Sequence, residues 1–387
     1  MNTKLFSISL LTASVLLASA SPANASGYKF TDLGTLGGTF GKAYGINDSG
    51  QVVGYSQTLG GPMHATIWNG TTPTDLGTLG GSYSDATGIN DSGQVVGYSF
   101  TPGNATSNAI IWNGTTPTAL GTLGGGNSLA RGINNSGQVA GYSDTSDGTF
   151  RATIWNGTTP TDLGTLGGTT SFATGINDSG QVVGYSGTSD GTFRATIWNG
   201  TTPTDLGTLG GSYSVASDIN NSGQVVGLMN GHATIWNGTT PTDLGTLPGG
   251  RSSFANGINN SGQVVGQSGA LGSRHFHATI WNGTTPTDLN NFLSVDDAHA
   301  GWVLIGANGI NDNGWIVGYA YNELEEETSV SRSHYLPHAF LLTPCDTCPI
   351  NIFEEIPNVP EPETYAMFMA GLGLMGLIAR RRKNDQA

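Results

Sequence analysis

Ala43–Gly77 reads AYGINDSGQVVGYSQTLGGPMHATIWNGTTPTDLG, and close variants of it return along the chain to about Phe340. The phrase GINxSGQVVG or a variant begins at Gly45, Gly88, Gly132 and Gly175, loosens to DINNSGQVVG at Asp218, and returns at Gly257 and, as GINDNGWIVG, at Gly309. A second phrase, HATIW or a variant, begins at His64, Asn108, Arg151, Arg194, His232, His277 and His338. A third, DLGTL or a variant, begins at Asp32, Asp75, Ala119, Asp162, Asp205, Asp243 and Asp288, at intervals of 43, 44, 43, 43, 38 and 45 residues. Each phrase occurs seven times, so fold and function belong to a seven-fold object.

Within one repeat the residues predict four short strands. Gln51–Tyr55 is rich in β-formers and is entered through Asn47-Asp48-Ser49-Gly50, a polar tetrad whose glycine can take positive φ. Ala65-Thr66-Ile67-Trp68 alternates Ala and Ile on one face with Thr and Trp on the other. Asn69-Gly70 predicts a two-residue hairpin turn, Pro73–Leu76 is the returning partner, and the stretch ending Ala86-Thr87-Gly88-Ile89 supplies the next strand. Four strands in about 43 residues match one propeller blade.

Phrase order adds a closure argument. The seventh repeat, from Gly309, ends after His338–Leu342 without its DLG strand, while Tyr28–Leu33 is a DLG strand without a repeat. Laying Tyr28–Leu33 beside His338–Leu342 completes the last blade and removes both open edges. The expectation is an all-β, seven-bladed propeller. A β-solenoid is the alternative, but it would need capping repeats, and no polar cap precedes the first repeat.

The array resembles the HAF-repeat family of bacterial extracellular proteins, which couples a GIN phrase to His-Ala-Phe. His338-Ala339-Phe340 has the triplet intact, and His64, His232 and His277 keep its first two residues. Asn108, Arg151 and Arg194 depart from it, so whatever the family histidine does is left to four blades. The resemblance covers roughly residues 28–344 and implies no biochemical activity.

Charge sets further bounds. Charged residues are 10% of the 387, net charge is −14, and four of the thirteen basic residues are Arg380–Lys383. A ring so poor in Lys and Arg has no footprint for nucleic acid. Met1–Ala25 carries Lys4, an apolar core from Leu5 to Leu17, and Ala23 and Ala25 placed for cleavage after Ala25, which reads as a secretory signal peptide handled by the Sec machinery. At the other end Pro360-Glu361-Pro362 precedes an apolar run, Thr364–Ala379, and then Arg380-Arg381-Arg382-Lys383. Sixteen helical residues reach about 24 Å, short of a hydrocarbon core of roughly 30 Å, so the run is a marginal inner-membrane span with its basic end cytoplasmic. This end resembles the PEP-CTERM sorting signal, which implies an exosortase as partner and release to the cell surface or matrix. The expected division is leader 1–25, propeller 26–344, linker 345–359 and sorting segment 360–387.

The repeated motifs offer little chemistry. An Asp repeated in six of seven blades suits a turn more than a single catalytic site. The four histidines, one to a blade, lack a ligand pair and fit hydrogen-bond stitching better than a metal. The Asn-Asp-Ser-Gly loops could offer oxygens to Ca²⁺, yet the EF-hand spacing is absent; turn formation accounts for them and no cofactor is expected. Gly37–Ala43 fails the phosphate-loop spacing. Cys345 and Cys348 are the only cysteines, and in an exported chain they predict a local disulfide.

Broken repeats are the remaining place for a site. The insert Asn290–Asn308 carries Asp296, Asp297, His299 and Trp302, and the acidic loop Asn322–His334 carries Glu323, Glu325, Glu326, Glu327 and His334. If extended, the first insert would point Asp296 and Asp297 apart, against paired-carboxylate hydrolysis. The reading is a secreted or cell-surface, non-catalytic binding or structural protein of an exopolysaccharide or biofilm matrix, taking carbohydrate or protein. The alternative is a polysaccharide hydrolase or lyase using the 290–334 inserts.

Overall fold

The structure is a computed structural model and describes residues 27–326, 336–346 and 348. The leader to Ala25, Pro360-Glu361-Pro362, the 364–379 run, Arg380–Arg382, Glu327 and His334 lie outside the described residues. Seven antiparallel sheets of four strands follow the chain. The first blade is Gly37–Ile46, Gln51–Thr58, Met63–Asn69 and Thr72–Asp75, the first of these innermost and the last outermost.

The seventh blade is built from both ends of the ring. Its order is Trp302–Ile310, Ile316–Asn322, His338–Cys345 and then Gly27–Asp32. Phe30 stands opposite Leu342 and Asp32 opposite Phe340, and Leu33 N–H donates to the Ala339 carbonyl at 2.9 Å. Closure is therefore by pairing, as the phrase order predicts, and the solenoid alternative is excluded.

Each core lies between two neighbouring blades. Ala65 and Ile67 pack with Ala86, Val95, Ile110 and Trp112 of the next blade, whereas Trp68 packs with Val317, Ala339 and Leu341 of the preceding one. The period-two alternation thus separates one buried face from another, and Thr66, like Trp68, is wholly buried. That is the geometry of a wedge held on both sides.

Two details differ from the sequence reading. The hairpin after the third strand pairs Asn69 with Thr72, so its two loop residues are Gly70-Thr71, not Asn69-Gly70. Only Gly70 has positive φ, at 61°, as a turn with glycine in first position requires. Asn69 acts elsewhere, since its side-chain oxygen accepts from Gln51 Nε2 at 3.1 Å and ties third strand to second. Second, the insert is not extended, since Val295–His299 forms one short helical turn.

A β-bulge interrupts every inner strand. Ala43 pairs with Gly54 and Gly45 with Val53, leaving Tyr44 unpaired, and the same shift recurs around the ring at Thr87, Arg131, Thr174, Ser217, Asn256 and Asn308. The bulge fixes the glycine of QVVG, because a Cβ on Gly54 would lie 1.9 Å from the Lys42 carbonyl oxygen.

Leu33, from the N-terminal segment, is 0% exposed and Leu163, from mid-chain, 1%. Leu33→Ala is expected to cost roughly 2–5 kcal/mol, as much as Leu163→Ala. Denaturant melts of the two variants test closure; tolerance at Leu33 alone would mean an open ring.

Candidate functional site

The seven inner strands surround an axial channel with three zones. At one mouth lie the Asn-Asp-Ser-Gly turns. Asn47 Nδ2 donates to the Asn90 carbonyl, and the relation passes through Asn134, Asn177, Asn220, Asn259 and Asn311 back to Asn47, at 3.0–3.2 Å. A second ring runs outside it: Asp48 N–H donates to the Asp91 carboxylate, and so on through Asn135, Asp178, Asn221, Asn260 and Asp312 back to Asp48. These loops spend their oxygens on each other. Crowding with Asp91 and Asp312 adds to burial in raising the Asp48 carboxyl. Among the described residues no group of three or more His, Cys, Asp or Glu is placed to hold a metal ion.

The neck is a ring of glycines. A Cβ on Gly88 would stand 3.1 Å from the Arg131 carbonyl oxygen, and one on Gly309 would stand 2.9 Å from that of Tyr44. Asp218 replaces the glycine in the fifth blade. Its carboxylate accepts the N–H groups of Ile219 at 2.8 Å and Ile258 at 3.1 Å, and enclosure pushes its pKa up to about 6, although the residue is only part-buried.

Beyond the neck the channel widens to a vestibule of about 350 Å³. Its wall includes Tyr44, Tyr142, Phe172 and Tyr185, interleaved with Arg131, Ser217, Asn256 and Asn308. The bulge delivers these polar residues: the unpaired residue of each inner strand is the one turned toward the axis. In four blades it also bonds the next blade, with Thr87, Thr174, Asn256 and Asn308 donating to the carbonyls of Ala130, Ala216, Ala307 and Ala43 at 2.7–3.0 Å. No such bond is made by Tyr44 or Arg131.

Phe172 and Val215 line the vestibule from the position two residues before their bulges. The same position holds Lys42 in the first blade and Asp85 in the second. Lys42 Nζ lies 4.1 Å from the centre of the Tyr319 ring and 5.3 Å from that of Tyr44. Asp85 is 4% exposed; its Oδ2 accepts from Tyr83 Oη at 3.3 Å, while Oδ1 has no hydrogen-bond partner. Burial raises its pKa to about 7, against the opposing pull of Arg131, Tyr83, Lys42 and Tyr98. Arg131 is open to the channel and sits 5.7 Å over Tyr142.

The sequence-predicted residues fall elsewhere. Asp296 and His299 are exposed on the helical turn, and Asp297 is held by Ser294, whose hydroxyl donates to its Oδ2 at 2.6 Å. Trp302 packs on Phe30 at 5.2 Å and His338 at 5.0 Å. Glu323, Glu325 and Glu326 belong to the short helix Glu323–Glu326, and Glu323 is exposed. The repeat histidines stitch within a blade: His64, His232 and His277 bind Asp75, Asp243 and Asp288 through Nδ1 at 2.8, 2.8 and 2.5 Å, and His338 reaches Asp32 at 3.6 Å. The other oxygen of Asp75 accepts Gly77 N–H at 2.7 Å, so the repeated Asp serves turn and stitch together. The hydrogen bond that His277 donates to Asp288 raises the His277 pKa over the opposing effect of burial. Cys345 and Cys348 are joined by a disulfide.

The two ends of the ring differ. Second-to-third and fourth-to-first connections, the first insert among them, lie at the vestibule end, by the antiparallel order. So do the large apolar side chains that stay exposed, from Leu59 at 87% and Leu271 at 81% to Leu324 at 58%. The described chain enters at Gly27 and leaves past Cys345 at the opposite end.

Residues 358–383 match the PEP-CTERM protein-sorting motif. That motif implies export and exosortase sorting at the membrane; among the described residues no helix is long and apolar enough to cross one. No curated protein matches the chain. Among solved structures, the extracellular domain of a one-component system from B. thetaiotaomicron is 11% identical with a TM-score of 0.45, covering 81% of this chain and 39% of that one. A puromycin-hydrolyzing peptidase of Mycobacterium tuberculosis is 10% identical with a TM-score of 0.43, covering 76% and 52%. A lectin from Burkholderia pseudomallei is 14% identical with a TM-score of 0.36, covering 77% and 96%. The chain thus spans about two-fifths of the first of these proteins and about one-half of the second.

A carboxyl whose folded pKa is raised favours the fold only while protonated, so its contribution is complete below about pH 4 and is lost as pH rises through about 7. Asp85 then destabilises the ring above neutrality by up to ~4 kcal/mol. Asp85→Asn is expected to open a Tm advantage over wild type as pH rises from about 4 to about 8. Thermal melts across that range check it, and a gap independent of pH would contradict it.

Proposed function

We propose that this chain is an exported, exosortase-sorted binding ring, without catalytic activity, that holds a saccharide in its axial vestibule. The observation that carries the reading is the vestibule wall, where aromatic faces alternate with Arg131, Ser217, Asn256 and Asn308. Sugar rings present C–H faces that stack on aromatic rings and hydroxyl edges that need donors and acceptors, so this alternation suits them. The sorting motif at 358–383 supplies the cellular context in which such a ligand is met. A place in an exopolysaccharide matrix, membership of the HAF-repeat family and transient membrane insertion through 364–379 belong to the same proposal.

Hydrolysis has less support, because Asp296 lies exposed on a helical turn and Asp297 is engaged by Ser294. Titration calorimetry with soluble oligosaccharides is expected to give saturable binding without release of reducing ends. Tyr142→Ala, which removes one stacking face, is expected to weaken binding by about tenfold. Turnover that survives Tyr142→Ala and stops in Asp296→Ala would replace the proposal with the hydrolase. In cell fractionation, a chain lacking 358–383 is expected to lose its membrane-associated intermediate; unchanged partitioning would remove the sorting part.

A further inference from the structure

Subtracting the seven-fold pattern leaves a small set of residues that the ring does not explain. At the position two before the bulge, the third to sixth blades carry Leu129, Phe172, Val215 and Phe254, whereas the first two carry Lys42 and Asp85. At the bulge itself most blades carry Thr, Ser or Asn, and the third carries Arg131. Three charges therefore stand on adjacent inner strands, in a chain of net charge −14 with few cations to place. They are where the vestibule departs from its own repeat.

Their pairing is incomplete. Among the described residues every ion pair within 4 Å joins a His to an Asp, so Lys42, Asp85 and Arg131 make none. Lys42 lies over aromatic faces, and Arg131 gives Tyr142 Oη only a long contact of 3.5 Å. Arg131 also lacks the cross-blade bond that Thr87, Thr174, Asn256 and Asn308 make from the same position. Asp85, on the strand between the two cations, is within 4 Å of neither. Arg131 lines the vestibule and Lys42 lies beside Tyr44 of its wall, and a guanidinium fork and an ammonium so placed are suited to a carboxylate. The aromatic wall of the same vestibule includes Phe172 stacked on Tyr185 at 5.0 Å, a surface for a sugar ring.

We propose that the vestibule binds an acidic saccharide, with the carboxylate of a hexuronate residue taken by Arg131 and Lys42 and its ring laid on the Tyr142–Phe172–Tyr185 wall. The inference rests on the saccharide reading above and adds the charge and the blades that read it. Surface acids elsewhere on the ring do not cancel it, since charges beyond about 8 Å are largely screened at physiological salt.

The test is calorimetry of the full chain with tetragalacturonate, with its methyl ester, which keeps the ring and removes the charge, and with an oligoglutamate peptide. The acid is expected to bind about tenfold tighter than the ester, with the gap narrowing as salt is raised. Arg131→Gln and Lys42→Gln are expected to reduce the affinity for the acid to about that of the ester. Should Arg131→Gln fail to fold, Arg131→Lys keeps the charge and loses the fork, and an affinity equal to wild type would overturn Arg131's role. Equal binding of acid and ester would overturn the proposal and leave the saccharide reading standing. Binding of neither would remove both, and oligoglutamate bound as tightly as tetragalacturonate would replace the sugar with an acidic peptide.

Discussion

The constraint on which the ring depends is the close approach of the inner-strand backbones around the axis. Seven strands converge on one axis, and at the neck a methyl group on Gly88 or Gly309 would meet the next blade's backbone. Such crowding explains why the GIN phrase starts with glycine in six blades. It also forces the strands to shed a residue toward the axis, because a strand that bends sharply must break its ladder, and a bulge is the way to do so. The neck, the bulge and the QVVG glycine are one constraint seen at three positions.

The bulge converts a structural necessity into a display of side chains. In four blades the displaced residue satisfies a carbonyl of the neighbouring blade, a bond worth about 1 kcal/mol that would otherwise be left to water. The remaining blades lack that bond, and there the residue can be chosen for other reasons. A ring with seven copies of each stitch tolerates a few omissions. Asn108 and Ala119, which together replace the His and Asp of the second blade, show the same tolerance at the rim.

Closure by the N-terminal strand places both ends of the described ring on the Asn-Asp side and leaves the vestibule side uncrossed by either. Apolar loop tips, the Val295–His299 turn and the aromatic wall then share one end. A polar, self-satisfied mouth and an open, chemically mixed one give the ring two unlike faces, although all seven blades are built to one plan.

The repeat phrases by themselves determined the blade count, the four strands of each blade and the pairing of residues 28–33 with 338–342. Those features follow from local pattern and from counting, and the histidine and aspartate roles followed from their recurrence. The same reading put the chemistry in the inserts around Asp296 and Glu326, because insertions are visible in a linear sequence as broken periodicity. It also placed the hairpin turn one residue early, because Asn69-Gly70 looks like a turn pair when the bond from Gln51 cannot be seen. Only the tertiary structure brought Arg131 into the vestibule with Lys42 and Asp85 on the adjacent inner strands beside it. They lie 43 and 46 residues apart on three strands, two before a bulge and the third on one. No linear pattern registers which side of a strand a bulge turns outward, since that depends on how closely seven backbones crowd the axis.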